Sequence, residues 1–258
     1  MIGAIAGDII GSLYEFSPVK TKDFPFFQKG SRFTDDSVLT VAVARAVLTG
    51  EDYQGSIHRL GRKYPDAGYG GSFLKWLSSE APAPYNSWGN GSAMRVSPVG
   101  FAFDTVETVL EEAAKSAVIS HNHPEGIKGA QAVALSVYLA RTTKNKNLIR
   151  REIGSRFGYY LERSVSDIRP NYSFDVSCRG SVPEAIISFL DSDSYEDAVR
   201  NAVSLGGDSD TLACIAGGIA EAFYGAVDKE ICNKVREILT TELWEITTEF
   251  CSRFGVWR

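Results

Sequence analysis

The sequence predicts an all-α fold in one domain, and three observations predict it. Apolar residues recur at three- and four-residue spacing in segment after segment, as in Ile2, Ile5, Ile9 and Leu13. No segment alternates apolar and polar residues as a strand does, and no hairpin dipeptide is flanked by such alternation. Glycines stand at helical spacing inside apolar runs, at Gly3, Gly7 and Gly11 and again at Gly217 and Gly218. Each costs a helix about 1 kcal/mol relative to alanine, a cost that makes sense where another backbone packs against the bare face. The 258 residues suit one domain, taken as 1–258, of roughly a dozen helices.

Composition removes several function classes. Hydrophobic residues at 44% and charged residues at 23% describe an ordinary globular chain. A net charge of −5 argues against a nucleic-acid phosphate binder, so no stable nucleic-acid complex is expected. Cys178, Cys214, Cys232 and Cys251 form no C-x-x-C and have no histidine at zinc spacing; free thiols in a reducing cytoplasm are expected. The N-terminus is apolar but lacks a basic region and soon carries Asp8 and Glu15, unlike a signal peptide. No run reaches membrane-spanning length, so no membrane partner is expected.

Residues 2–16 read as a glycine-striped helix with Asp8 and Glu15 seven apart on one face. A carboxylate on an apolar helix needs either nearby backbone donors or a cation. Residues 17–33 form a loop with Pro18, Pro25, Gly30, three phenylalanines and the basic Lys20, Lys22, Lys29 and Arg32. Its length fits a lid or a cover over the core. Phe33-Thr34-Asp35-Asp36-Ser37 then starts a helix with Val38, Val41, Ala42, Arg45 and Ala46, ending near Gly50.

Residues 52–62 form a short helix. Gly68, Gly70 and Gly71 turn the chain ahead of a helix carrying Phe73, Trp76 and Leu77. The next loop places Ser87, Trp88, Gly89, Asn90, Gly91 and Ser92 before Ala93-Met94-Arg95. Its glycines free backbone N–H groups to face an anion at a helix start, or they serve a structural turn. The pattern is not G-x-G-x-x-G and follows no strand, which excludes a dinucleotide-binding βαβ unit. Asp104 with Glu107 reads as a capping pair for a helix through Val109, Leu110, Ala113 and Ala117. His121 and His123 precede Pro124, which suits the first position of the following helix. H-x-H lacks a third nitrogen or sulfur ligand, so hydrogen bonding in a cleft is expected rather than zinc.

Residues 142–182 are the most polar region, with one helix through Ile149, Ile153, Phe157 and Leu161. Helices resume at Pro183 and at Ser194, and two more follow at about 228–239 and 241–253. Between them Leu205-Gly-Gly-Asp208-Ser-Asp210-Thr211 delivers two carboxylates and a hydroxyl to the start of a buried helix through Leu212, Ile215, Ile219 and Phe223. Gly206 and Gly207 permit a tight turn with positive φ just before it. One acidic helix start is ordinary capping. Two such starts, each with an extra Asp and a Thr, make an oxygen-only ligand set suited to Mg²⁺, Mn²⁺ or Ca²⁺ rather than zinc. With so many ligands, two metal ions are more natural than one.

Four stretches together resemble the ADP-ribosylglycohydrolase family: Phe33-Thr-Asp-Asp-Ser, Trp88-Gly-Asn-Gly-Ser-Ala-Met-Arg, Ser181-Val-Pro-Glu-Ala-Ile and Leu205-Gly-Gly-Asp-Ser-Asp-Thr. The resemblance runs from Gly7-Asp8 to Tyr224-Gly225. It implies a single-domain orthogonal all-α bundle with a dinuclear Mg²⁺ or Mn²⁺ cleft. It implies Thr34, Asp35, Asp36, Asp208, Asp210 and Thr211 as metal ligands. It implies Glu15, Asp36 and Asp208 as catalytic groups. Gly70, Ser87, Trp88, Gly89, Asn90, Gly91, Ser92 and His121 are implied to bind ADP-ribose. Asn86 stands where the serine-specific member has glycine. The implied activity is metal-dependent removal of ADP-ribose from a protein side chain, in the cytoplasm. Its rivals are hydrolysis of another ADP-ribose conjugate and a catalytically silent ADP-ribose reader.

Overall fold

A central helix, α13 (Ser209–Tyr224), carries the apolar run that follows the second acidic motif, and nearly all of it is buried. The computed structural model describes residues 1–256, which form fifteen helices and no strand among the described residues. An isolated bridge between Gly89 and Ser177 is the extended pairing there. The expected dozen grows by three short helices, α5 (Gly91–Met94), α6 (Ser97–Ala102) and α10 (Val165–Ile168).

The glycine stripe explains the packing of the centre. Helix α1 (Ile2–Gly11) lies directly on α13. A β-carbon on Gly7 would stand 2.1 Å from the Ala213 carbonyl oxygen, and one on Gly11 2.4 Å from that of Ser209. From the other side, a β-carbon on Gly217 would stand 2.3 Å from the Gly3 carbonyl oxygen. Real β-carbons do not approach so closely, so glycine on both faces lets two backbones touch.

Around this pair pack α2 (Asp35–Thr49), α8 (Pro124–Thr143), α11 (Cys178–Leu190) and α12 (Tyr195–Ser204), all with largely buried inner faces. Helix α2 ends where expected, on Gly50 in the left-handed conformation at φ 73°. Pro124 opens α8 with His123 as its cap. Ser194 caps α12, and α14 (Lys229–Ile238) and α15 (Thr241–Arg253) fill the two C-terminal spans. No helix among the described residues is long and apolar enough to cross a membrane.

Several local readings are corrected. Helix α1 stops at Gly11 rather than reaching residue 16, so Glu15 lies on the following turn and shares no helix face with Asp8. Helix α7 (Val106–Val118) is capped by Thr105, which accepts from the Thr108 N–H. The expected cap, Asp104, instead accepts from Arg141 at 2.9 Å. Helix α9 (Lys146–Phe157) ends on Gly158 at φ 68°, so Leu161 is buried beyond it. Helix α11 begins at Cys178, five residues before the proline expected to open it. Ser177 caps it, and Pro183 is carried inside.

The 17–33 loop covers the core. Arg200 on α12 donates to the carbonyls of Lys22 and Phe24 at 2.8 and 2.7 Å. Its guanidinium also stacks over Phe26, 4.4 Å from the ring centroid.

Candidate active site

The first acidic motif is anchored from another helix. Asp8, fully buried on α1, accepts from the Thr34 N–H at 2.9 Å, the Thr34 hydroxyl at 2.6 Å and the Ser37 N–H at 3.1 Å. The Ser37 hydroxyl also donates to it. Asp8 therefore serves as a second cap for α2, supplied across 26 residues. Thr34 is the local cap, and its oxygen accepts from the Asp36 N–H at 3.3 Å. This double capping fixes where Asp35 and Asp36 leave the helix start.

The second motif leaves a turn built on Gly206, at φ 65°. A β-carbon on Gly207 would stand 2.4 Å from the Tyr172 ring, so the turn is pressed against the 169–177 loop. Lys20 clamps the same place, donating to the carbonyls of Tyr172 at 2.6 Å and Arg169 at 3.0 Å, and to that of Leu205.

The two motifs meet in one cleft of about 530 Å³, whose lining includes Asp35, Asp36, Asp208, Asp210, Thr211 and Glu15. The Thr211 hydroxyl donates to Asp36 at 3.3 Å across 175 residues. Carboxylate oxygens of Glu15, Asp208 and Asp210 lie within 4.8 Å of one another. The opposite wall is the glycine loop, with Ser87, Trp88, Gly89, Asn90, Gly91 and His121, together with Gly70. That loop is held at both edges, by Asn90 N–H to Val176 O at 2.8 Å and Cys178 N–H to Trp88 O at 3.0 Å. The Asn90 side chain reaches across to Asp208 at 2.7 Å.

Two expected residues stand behind the wall. Ser92 is fully buried and donates to Gly126 O at 2.8 Å. Thr34 is buried against Asp8 and Asp36, outside the lining. Several lining residues were not anticipated as site residues, Arg95 and Asn86 among them. Arg95 lies beneath the glycine loop. Asn86 adopts a positive φ of 56°, a conformation that glycine takes freely.

The electrostatics are those of crowded carboxylates. Burial, and after it the neighbouring charges of Asp210 and Asp8, raise Asp35 and Asp36 well above the ordinary carboxylate range. Asp210 is raised by burial and then by Asp208. Asp208 is pushed up to about 6, mainly by burial, with the Asn90 hydrogen bond working against the rise. Glu15 is pushed up to about 7 by burial first and Asp210 second. Among the described residues no Lys or Arg forms an ion pair with these carboxylates, although the Arg32 charge partly offsets the rise at Glu15, and Asp36 Oδ1 is buried without a hydrogen-bond partner. An all-oxygen set of this kind fits hard divalent cations.

A family model described as ADP-ribosylglycohydrolase matches residues 1–258. Among similar curated proteins, ADP-ribosylhydrolase ARH3 of Homo sapiens is 28% identical over 305 residues, spanning 87% of this chain and 84% of its own length. The ADP-ribosylarginine hydrolase Tri1 of Pseudomonas putida is 23% identical over 273 residues, spanning 87% of this chain and 69% of its own. A solved structure titled ADP-ribosylglycohydrolase-related protein complex superposes with a TM-score of 0.73 at 20% identity, covering 100% of this chain and 97% of that one. That likeness speaks to the fold.

Proposed function

The chain belongs to the ADP-ribosylglycohydrolase family, and on that premise we propose that its cleft hydrolyses the glycosidic bond joining ADP-ribose to a protein side chain, using two Mg²⁺ or Mn²⁺ ions. The observation that carries this reading is the cleft itself. Carboxylates from both helix starts and from the α1 turn line one wall, and a glycine loop with His121 lines the other.

Asp35, Asp36, Asp208, Asp210 and Thr211 would hold the ions, with Thr34 offering its oxygen from behind. Bound there, the ions would stabilise negative charge on the ribose hydroxyls and favour ionisation of a nearby water. The chain's own residues do the rest. The Gly89 to Gly91 backbone and His121 bind the diphosphate. Asn90 keeps Asp208 aimed at the reacting end through its 2.7 Å hydrogen bond.

Glu15 sits beside Asp208 and Asp210, where a carboxylate can accept and return a proton at the reacting centre. As the bond from the anomeric carbon to the leaving nitrogen or oxygen breaks, water adds to that carbon. One proton passes from the water and one reaches the leaving group, with Glu15 as the relay. The buried carboxylates stabilise the oxocarbenium-like transition state between these events.

The experiment is a panel of arginine-, serine-, cysteine- and nucleic-acid-linked ADP-ribose, each assayed with Mg²⁺, with Mn²⁺ and with chelator. Release of ADP-ribose from a protein conjugate only with metal is the expected result. Turnover confined to non-protein conjugates, or binding without any turnover, would replace it with one of the rival readings.

A further inference from the structure

The Arg95 guanidinium is the largest fully buried side chain and makes no ion pair among the described residues. Its Nη2 donates to the Ser116 carbonyl at 2.8 Å and to the Ser120 hydroxyl at 3.1 Å. Nε and Nη1 are buried with no partner. A buried charge left so poorly compensated is costly, and in a chain of net charge −5 it is not there for want of acids. Arg95 lies against the cleft, beneath the glycine loop.

Its one side-chain hydrogen bond, to Ser120, leads to His121. Arginine has no acceptor, so the Ser120 oxygen accepts from it. The serine hydrogen is then free for His121 Nδ1, 2.8 Å away. With Nδ1 accepting, the imidazole hydrogen resides on Nε2. Nε2 faces the glycine loop: a β-carbon on Gly91 would stand 3.0 Å from it, and one on Gly89 3.8 Å. The His121 side chain is packed on both sides. Tyr85 packs on it with centroids 6.0 Å apart, and a β-carbon on Gly126 would stand 2.9 Å from its Cβ.

We propose that Arg95, acting through Ser120, holds His121 as a fixed neutral Nε2–H donor for a phosphate oxygen seated on the Gly89 to Gly91 backbone, and that the buried guanidinium is that phosphate's countercharge. The ligand half of this rests on the functional reading above; the relay does not. Burial and the Arg95 charge both hold the imidazole pKa well below its ordinary value, in keeping with a neutral ring. Arg95 is a positioning residue here, since its side chain is wholly buried and acts on the ring through the Ser120 hydroxyl.

The test has two arms. In ligand-free, ¹⁵N-histidine-labelled protein at neutral pH, long-range ¹H–¹⁵N correlation should show His121 as the neutral Nε2–H tautomer, its signal assigned by its loss in His121→Gln. An Nδ1–H tautomer or an imidazolium overturns the relay. In the second arm, calorimetry with ADP-ribose and Mn²⁺ compares wild type, Ser120→Ala and Ser120→Thr. Loss of one hydrogen bond tied to a charged group predicts about tenfold weaker binding in Ser120→Ala. The hydroxyl kept in Ser120→Thr should restore most of it. A Ser120→Ala variant that only melts earlier, with unchanged affinity once folded, overturns the proposal. If wild type fails to bind ADP-ribose, the functional reading and the ligand half fall together, and the tautomer still decides the relay.

Discussion

The Asn90 side-chain amide donates to the Asp208 carboxylate at 2.7 Å, tying the glycine loop to the acidic wall across 118 residues. Its second contact, to the Ser181 hydroxyl at 3.2 Å, is also buried. Asn90→Ala should therefore weaken Mn²⁺ binding by about tenfold, the scale of one hydrogen bond to a charged group. Asn90→Asp should lower the melting temperature of chelated protein, because it sets a carboxylate against Asp208, yet lose less Mn²⁺ affinity than Asn90→Ala, because a bound cation offsets that repulsion. Titration calorimetry of both variants checks this, and wild-type Mn²⁺ affinity in Asn90→Ala would detach the loop from the metal site.

Chelated protein should gain stability as pH falls. Glu15 titrates near 7 and Asp208 near 6 in the fold, above their ordinary values of 4.5 and 3.8. Between the ordinary and raised values the folded chain holds more protons than the unfolded one, so stability decreases as pH rises through that window. The melting temperature in chelator should climb from about pH 7.5 down to about pH 5. Saturating Mg²⁺ or Mn²⁺ should flatten that dependence by replacing the protons. Parallel pH profiles with and without metal would show that the carboxylates do not meet on a cation.

Glu15→Gln should separate proton transfer from binding. The amide keeps the shape of the turn but carries no titrating group, so kcat should fall by about 10²-fold or more. ADP-ribose affinity should change far less, since the carboxylates of both helix starts remain. Steady-state kinetics and calorimetry on the same preparation decide it. Full turnover in a well-folded variant would leave an aspartate as the proton acceptor.

ADP-ribose should raise the melting temperature more with Mn²⁺ than after chelation, because a ligand that binds only the native state stabilises it in proportion to its affinity. Equal shifts would mean that the ions do not touch the ribose.

Gly7→Ala should damage the fold itself. Its β-carbon would stand 2.1 Å from a backbone oxygen of α13, and backbone cannot swing aside as a side chain can. Overpacking of this kind costs about 1–3 kcal/mol or more, seen as a lowered urea midpoint or as insoluble expression. Gly71→Ala, at the start of the Gly71–Ser78 helix with nothing within 4 Å of the added carbon, is the control for the loss of a glycine as such.

What the sequence showed depended on whether the cause was local. The glycine stripe and the two Thr-and-Asp helix starts were legible because spacing and residue type alone carry them. The role of Asp8 was not, since its partners Thr34 and Ser37 lie in a different helix. The α7 cap was misread because Asp104 and Thr105 are both good caps. The choice falls to Arg141, which takes Asp104 at 2.9 Å and also donates to the Phe103 carbonyl. The start of α11 was hidden because a proline invites a helix start, whereas Ser177, itself braced by Asp175 at 2.8 Å, starts it earlier. Arg95 left one faint signal, a lone cation in the otherwise uncharged run Ser92-Ala-Met-Arg-Val.

The backbone contact between α1 and α13 also divides the molecule into what can be exchanged and what cannot. Asp210 and Thr211 emerge from the helix fused to α1, and α2 is tethered to α1 by Asp8, so the reacting end works as a welded chassis. The mouth is different: Phe16 is 78% exposed and stacks on Phe174, with Trp88 nearby in the lining at 53% exposure. These side chains stand on loops that can be recut without disturbing the floor. Anyone retargeting this scaffold to a different conjugate should graft at residues 16–17, 86–88 and 173–174. Libraries that reach into the floor should yield mostly unfolded protein.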